Sequence, residues 1–304
     1  MSAPPRRPPP PPGVRRAARD TDAARLPDHA NAGLVAERVG GVCVTEAGRF
    51  IEKKLKVEWY KPVADREHGD LTGLAAQAER QRRLVVSRAG LEGSGLVFRA
   101  ATSSRLAIGL GIAGPAENGL SWHHTLGAPF IPGSSLKGMV QAYAEEFAGA
   151  FDLDDQVEAR RAATRIFGQF RPDWQNPAHD KDRDTRLGSV IFLDALPLGR
   201  VKVVLDVMTP HSGDWHKGAS TYPNEASEVS PVQFPVVDAG ACFQFAVAPS
   251  DGFRSPQAGA DDADDLADQR LKDCFQVVAW MKAALEIIGV GAKTKAGYGR
   301  LKAS

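Results

Sequence analysis

The chain has 304 residues, of which 43% are hydrophobic and 25% charged, a composition typical of a globular protein that excludes a wholly disordered chain or a small disulfide-dependent scaffold. Its 38 basic and 37 acidic side chains give a net charge of +1, which excludes a uniformly basic surface and leaves local clusters to bind any polyanion. It has neither a run of 18 apolar residues nor an apolar signal core, so we expect a cytoplasmic protein without a membrane span.

The first 33 residues differ in composition from the rest of the chain. Seven of the first twelve residues are proline, and six arginines lie among small residues between Arg6 and Arg25. Such a segment has too few apolar side chains to offset the entropy of ordering it. We therefore predict a disordered tail over residues 1–33, followed by one domain over 34–304, in which 34–94 and 209–235 have the weakest patterns.

The pattern of apolar residues predicts secondary structure most clearly after residue 95. Alternating apolar residues are typical of strands, and apolar residues at i, i+3 and i+4 are typical of helices. The predicted strands cover about 96–98, 106–108, 189–193, 201–207, 241–248 and 300–302, and the predicted helices about 71–86, 134–147, 156–167 and 264–288.

From residue 95 the elements follow the order of a βαββαβ unit with insertions. This order predicts an α+β protein with a ferredoxin-like (RRM-like) antiparallel sheet, two main helices on one face and the other face available for binding. The polar stretch 209–235, which contains several prolines, predicts a long loop, and loops of that length are often functional.

Two glycine-containing segments resemble nucleotide-binding motifs without meeting their requirements. Gly109, Gly111 and Gly114 have the dinucleotide spacing, but Pro115 and a polar loop follow where a helix is needed. The sequence Ala-Lys-Thr at 292–294 lacks the glycine before the lysine and comes after a helix rather than before one. We expect no nucleotide cofactor.

The segment 289–302 has the composition of a phosphate-binding loop. It contains four glycines, four basic residues and no acidic residue. Glycines let backbone N–H groups approach a phosphate, lysines supply positive charge, and an aromatic ring offers a stacking surface for a base. A plain turn with solvated lysines is the alternative. The candidate RNA-binding residues here are Gly289, Gly291, Lys293, Lys295, Gly297, Tyr298, Gly299 and Arg300.

A second candidate anion site lies at the predicted start of the helix 134–147. Ser134, Ser135 and Lys137 follow Pro132 and Gly133, and the N-terminus of a helix attracts anions. Simple capping of the helix by the two serines is the alternative interpretation.

Histidines and aspartates offer weaker candidates for chemistry. His211 is the best candidate for general acid–base cleavage of RNA, and His123 and His124 are a second possibility. The alternative is a histidine that fixes a loop or contacts RNA without chemistry. Asp194 and Asp206 lie on neighbouring predicted strands, where a Mg²⁺ ion is conceivable but a structural role is more usual for such residues. We predict no metal and no other cofactor.

Four stretches together resemble the RAMP superfamily of CRISPR-associated proteins. Two of them are residues 205–211 and residues 287–301. The motifs within them, Met-Thr-Pro-His at 208–211 and Gly-Ala-Lys-Thr-Lys-Ala-Gly-Tyr-Gly at 291–299, are similar to the sixth Cmr subunit of type III-B effector complexes. The other two are the glycine-rich stretch 109–119 and Pro-Phe-Ile-Pro-Gly-Ser-Ser-Leu-Lys-Gly at 129–138. The resemblance covers the chain from about residue 95 to its end and does not include the tail.

The resemblance implies a non-catalytic subunit that caps the 3′ (head) end of a guide RNA and contributes to assembly and RNA binding. Its partners would be the guide (CRISPR) RNA, the target RNA and other Cmr subunits. In this resemblance, residues 289–299 correspond to the family's glycine-rich RNA-binding loop, and residues 134–137 correspond to the start of a helix in the family's pattern. His211 matches a family histidine to which we assign no role. A metal-independent endoribonuclease that processes guide RNA, using His211, is one alternative, and a subunit that contacts protein alone is another.

Overall fold

A computed structural model describes most of the predicted domain. The described residues are 31–34, 36, 60, 62–91, 95–112, 118–146, 162–163, 165–168, 187–209, 218, 221, 231–251 and 263–304. Residues 1–30 of the predicted tail and most of the predicted loop 209–235 lie outside this part of the chain.

Four α-helices and eight strands make up the described structure, which confirms the predicted α+β class. The helices are α1 (Ala32–Leu34), α2 (Leu71–Ala89), α3 (Gly133–Glu146) and α4 (Ala263–Ile287). The strands are β1 (Arg66–His68), β2 (Val97–Thr102), β3 (Val190–Phe192), β4 (Leu196–Pro197), β5 (Val201–Met208), β6 (Val232–Val237), β7 (Cys242–Pro249) and β8 (Leu301–Ala303).

The larger sheet has the strand order β3-β7-β2-β8, with β4 also paired to β7, and every pair in it is antiparallel. Helix α3 lies between β2 and β3 in the chain, and α4 lies between β7 and β8. Both helices pack against the same core as the phenylalanines of β2 and β7, where Phe98 stacks on Phe245 with ring centroids 5.2 Å apart. Lys282 of α4 lies over the ring of Phe98, which places α4 on this face.

The opposite face of this sheet is partly covered, so the expectation of a wholly available face is wrong. Gln244 alternates with Phe243 and Phe245 along β7 and therefore points away from α4. Its side-chain amide donates to the carbonyl of Ala78 in α2 at 2.9 Å. Helix α2 thus packs across β7 as a third layer, beyond the two main helices that the sequence predicts.

A second, three-stranded sheet has the order β1-β5-β6. Strand β6 falls at the end of the stretch predicted to be a loop, and that part of the prediction is wrong. Pro235 pairs with Leu205 in register, and β6 is the last strand of this sheet. Proline is tolerated in an edge strand because its missing N–H does not interrupt a ladder on both sides.

Two of the three cysteines fall in the described part of the chain, and both are free thiols. Cys274 is fully buried in α4, and burial raises the pKa of its thiol to about 12. It therefore contributes to the core as a small apolar side chain.

Candidate nucleic-acid interface

The segment predicted to bind phosphate forms a compact loop between α4 and β8, here called the glycine-rich loop (residues 289–300). Gly289 follows the last turn of α4, where its N–H donates to the carbonyl of Ala284 at 2.8 Å. Its positive φ of 74° turns the chain out of the helix, as is usual for glycine at this position. The other end of the loop leads directly into β8.

Backbone hydrogen bonds close the loop and dock it on the segment that follows β2. The N–H of Val290 donates to the carbonyl of Gly299 at 2.9 Å. The N–H of Gly299 donates to the carbonyl of Arg105 at 2.8 Å, and that of Ala292 donates to the carbonyl of Ala107 at 2.7 Å. The base of the loop is therefore fixed by its own backbone.

Glycine is needed at the base of the loop for packing within the protein. A Cβ at Gly299 would overlap the carbonyl oxygen of Val290, and one at Gly291 would overlap that of Ala107. Gly297 differs, because no heavy atom of the described residues lies within 4 Å of the position that a Cβ would take there. Only Gly297 of these three therefore has open space for the close approach of a ligand that the composition predicts.

The tip of the loop, here called the lysine turn (residues 293–297), presents unsatisfied backbone donors beside two lysines. Lys293 has left-handed backbone angles and precedes a 3₁₀ turn over Thr294–Ala296. Among the described residues, the N–H groups of Lys293, Thr294 and Lys295 have no acceptor. Lys295 and Gly297 are exposed. The turn thus combines positive charge with backbone N–H groups that can donate hydrogen bonds to an anion.

Tyr298 is held against the protein rather than presented as an open stacking surface. Its hydroxyl donates to Oδ2 of Asp206 in β5 at 2.8 Å. Its ring lies 6.0 Å from that of Phe234 in β6, and Lys293 Nζ lies 5.8 Å from the centre of the same Phe234 ring. Tyr298, whose ring was predicted to stack on a base, therefore also anchors the loop to the second sheet.

Asp206 receives a second donor from the segment that docks the loop. Arg105 Nη1 lies 2.9 Å from Oδ2 of Asp206, and its Nε lies 3.7 Å from Asp238. Partial burial alone would favour the protonated acid, but the hydrogen bonds from Tyr298 and Arg105 outweigh it and lower the pKa of Asp206. Burial, followed by the bond to Asp206, raises the pKa of Tyr298. Asp206 is thus ionised and Tyr298 protonated near neutral pH.

The second predicted anion site already contains a carboxylate of the protein. Helix α3 begins at Gly133, whose N–H donates to Oδ1 of Asp194 at 2.7 Å. Ser134 and Ser135 lie inside the first turn, so the cap comes from Asp194, and the alternative interpretation, capping by the two serines, is wrong. Lys137 is half-buried one turn into the helix. No hydrogen bond, ion pair or ring contact joins residues 133–138 to the glycine-rich loop within the described structure.

The remaining candidates for chemistry are dispersed. His211 lies outside the described residues. His123 packs edge-on against Phe130, and burial is the main cause of its lowered pKa. Asp194 lies in the connection between β3 and β4, whereas Asp206 lies in β5 of the second sheet, so the expectation that they lie on neighbouring strands is wrong. Different donors engage the two carboxylates. Among the described residues, no cluster of three or more potential metal ligands is present.

Two residues of this site were missed from the sequence. Arg105 and Phe234 are not in the stretches that carry the resemblance, yet one docks the glycine-rich loop and the other contacts Tyr298 and Lys293. Phe234 lies in the unpredicted strand β6. A pattern of alternating apolar residues on either side of Pro235 was the signal that could have located it.

Comparison with known proteins gives a consistent picture for this chain. The family model of the RAMP superfamily matches residues 99–302. A curated relative, the CRISPR system Cmr subunit Cmr6 of Pyrococcus furiosus, is 26% identical over 241 residues, which is 66% of this chain. The match spans 65% of that relative's own length.

Two solved structures are also similar to the fold. A chain of the type III-B Cmr-beta complex bound to cognate target RNA, determined by cryo-EM, matches with a TM-score of 0.54 and 20% identity, covering 83% of this chain and 72% of that chain. The crystal structure of Cmr6 from Pyrococcus furiosus matches with a TM-score of 0.36 and 22% identity, covering 68% of this chain and 96% of that one. The first likeness shows a shared fold. None of the described helices is long and apolar enough to cross a membrane.

Proposed function

The chain belongs to the RAMP superfamily, and from this premise we propose that it is a non-catalytic RNA-binding subunit of a type III-B CRISPR (Cmr) effector complex. In this role it caps the 3′ (head) end of the guide RNA in the cytoplasm. It contributes to assembly and to the binding of guide and target RNA in antiviral defence. Its partners are the guide RNA, the target RNA and the neighbouring Cmr subunits.

The lysine turn is the observation that carries this proposal. Within the part of the chain that the structure describes, the backbone N–H groups of Lys293, Thr294 and Lys295 have no acceptor, and Gly297 has open space beside it. Backbone donors and lysines recognise phosphates without reading bases. Such contacts suit a guide RNA, because its bases must stay free to pair with the target.

The strand order supports a ferredoxin-like unit as the scaffold of this site. Strands β2, β3, β7 and β8, with α3 and α4 between them, occur in the order of a βαββαβ unit. Their order across the sheet, β3-β7-β2-β8, places the first and third strands of the unit at its centre. We therefore propose a ferredoxin-like fold in which α2 and the second sheet are additions.

The relatives support assembly with other subunits. The Pyrococcus furiosus relative is described as a Cmr subunit, and the similar fold with the TM-score of 0.54 occurs in a complex bound to target RNA. Helix α2 exposes Leu71 and Leu84, and Leu91 follows just beyond its end, each about half exposed. Apolar side chains of this kind fit a contact with a neighbouring subunit.

The test is to tag the full chain, express it with its neighbouring genes, and identify the RNA and protein that co-purify. Short RNAs with one repeat-derived tag, together with RAMP-like partners, are the expected result. In the same complex, Lys293→Ala with Lys295→Ala should weaken RNA binding and lower the magnitude of the salt slope by about 1.4, at about 0.7 for each phosphate contact. Unchanged RNA crosslinking in this variant would favour a subunit that contacts protein alone.

The same preparation distinguishes the nuclease alternative. We expect the purified chain to leave repeat-containing RNA intact, both as wild type and as His211→Ala. Cleavage by the wild type that His211→Ala abolishes would replace the non-catalytic proposal with a guide-processing endoribonuclease.

A further inference from the structure

Asp206 lies where two separate parts of the chain meet. It is in β5, near the start of the stretch 205–211 that carries part of the resemblance. Its Oδ2 accepts hydrogen bonds from Tyr298 of the glycine-rich loop and from Arg105 of the docking segment. One carboxylate oxygen thus connects β5 both to the glycine-rich loop and to the segment on which the loop is docked.

These side-chain contacts lie next to the lysine turn, which the backbone hydrogen bonds at the base of the loop do not reach. Backbone hydrogen bonds hold its base at Val290, Ala292 and Gly299. The lysine turn lies between Ala292 and Gly299, and its own backbone bonds are short-range: Ala296 N–H and Tyr298 N–H donate to the Lys293 carbonyl, and Gly297 N–H donates to the Thr294 carbonyl. Tyr298 is the residue that connects the end of this turn to the second sheet.

The ring contacts extend the same connection to Lys293. Tyr298 and Lys293 both contact Phe234, one through its ring and the other through its ammonium group. When Asp206 holds the Tyr298 hydroxyl, the ring of Tyr298 stays against Phe234, and the lysine turn keeps one orientation relative to β5 and β6.

We propose that Asp206 is a positioning residue that holds the lysine turn in the orientation for binding RNA, acting through Tyr298 and Arg105. These three residues are here called the loop latch. The proposal rests on the proposed function, because it assumes that the lysine turn contacts RNA phosphates. Holding donors in place before the ligand arrives strengthens binding because less entropy is lost on association.

Three variants of the full chain in its assembled complex test the latch. Tyr298→Phe removes the hydroxyl and keeps the ring against Phe234, and Asp206→Asn removes the charge that engages Arg105. Asp238→Asn is the matched control, because it removes a charge near the same Arg105 but contacts neither Tyr298 nor the lysine turn. Binding of a labelled single-stranded RNA is measured, and trypsin cleavage after Lys293 and Lys295 is followed by mass spectrometry.

The latch predicts that Tyr298→Phe and Asp206→Asn weaken RNA binding by roughly five- to tenfold, the range expected for one hydrogen bond. Both variants should also be cleaved faster at the lysine turn, whereas Asp238→Asn should match the wild type in both measurements. The variant that combines Tyr298→Phe with Asp206→Asn should lose no more RNA affinity than the stronger single variant, because the effects of substitutions at residues that act as a unit are not additive. If Asp206→Asn fails to fold, Tyr298→Phe alone decides, since it removes a single oxygen atom.

Two results would overturn the latch. A lower melting temperature for Tyr298→Phe with wild-type RNA affinity and wild-type cleavage would make the contacts purely structural. Equal losses in Asp238→Asn would assign the effect to general electrostatics. The Lys293→Ala and Lys295→Ala variant is measured in parallel. If it binds RNA as the wild type does, the proposed function fails at this loop, whereas a loss there without a loss in Tyr298→Phe rejects the latch alone.

Discussion

The glycine-rich loop and the start of α3 both contain glycine and lysine, and the sequence predicts an anion site at each. The protein's own carboxylates have different hydrogen-bond partners in the two places. At the start of α3, Asp194 accepts the N–H of Gly133 directly, so the helix end is occupied. At the loop, Asp206 is turned toward Tyr298 and Arg105, and the backbone donors of the lysine turn stay unsatisfied. An acidic side chain thus satisfies a backbone donor at the start of α3, whereas at the loop the acidic side chain engages other side chains.

The largest expected effect is a difference in stability between substitutions of a glycine at the base of the loop and of a glycine in the lysine turn. Gly299→Ala should lower the free energy of unfolding by about 3 kcal/mol or more, because its Cβ would overlap the Val290 carbonyl and its φ is positive. Gly297→Ala has the positive φ alone and should cost about 1 kcal/mol. Urea denaturation of both variants checks the difference, and equal losses would contradict the distinction between base and turn.

The helix start provides the opposite test. Asp194→Ala removes the cap of α3 and should lower the free energy of unfolding by about 1 kcal/mol, within the usual range for lost caps. RNA affinity should not fall, because the anion at this position belongs to the protein. A stability loss measured by thermal denaturation together with a marked loss of RNA binding would instead make the start of α3 part of the interface.

Lysines in the two regions should differ in their effect on the salt dependence of RNA binding. Lys295→Ala should lower the magnitude of the slope by about 0.7, the value for one phosphate contact with a single strand. Lys137→Ala, in α3, should leave the slope unchanged. Titrations of the assembled complex at several salt concentrations measure both slopes, and a larger change for Lys137→Ala would reverse the assignment of the two regions.

The smallest effect is a dependence of stability on pH. The pKa of Asp206 is lower in the folded protein than in the unfolded chain, so its bonds stabilise the fold above the unfolded value of about 3.9. This contribution is lost as the pH falls through the folded pKa. Wild type should therefore be more stable than Asp206→Asn at pH 7, and the difference should shrink below pH of about 4. A difference that stays constant on acidification would contradict an ionised Asp206.

The sequence predicted the main elements well where a strong period coincides with burial. The long helix predicted over 264–288 is α4, and the strand predicted over 241–248 is β7, since their apolar residues follow one period throughout. Strand β6 was missed because Pro235 is normally evidence against a strand, and only its position at a sheet edge permits it. The covering of β7 by α2 depends on a polar residue, Gln244, that points inward and is satisfied by a distant carbonyl.

The candidate site was predictable in composition but not in arrangement. Glycine and lysine content predicted a loop here, but it did not predict that Gly291 and Gly299 approach the protein's own carbonyls. Whether a lysine or an N–H group is free depends on carboxylates from other parts of the chain. Asp194 lies 61 residues from Gly133, and Asp206 lies 92 residues from Tyr298, separations over which local patterns carry no information.

The most direct test of RNA binding at the lysine turn is ultraviolet crosslinking of the assembled complex, followed by mass spectrometry of the RNA-linked peptides. We predict crosslinks to guide or target RNA within residues 289–300 and none within 133–138. Substituting Lys293 and Lys295 with alanine should reduce them. Crosslinks concentrated at 133–138, with the glycine-rich loop unmodified, would contradict the assignment of the interface.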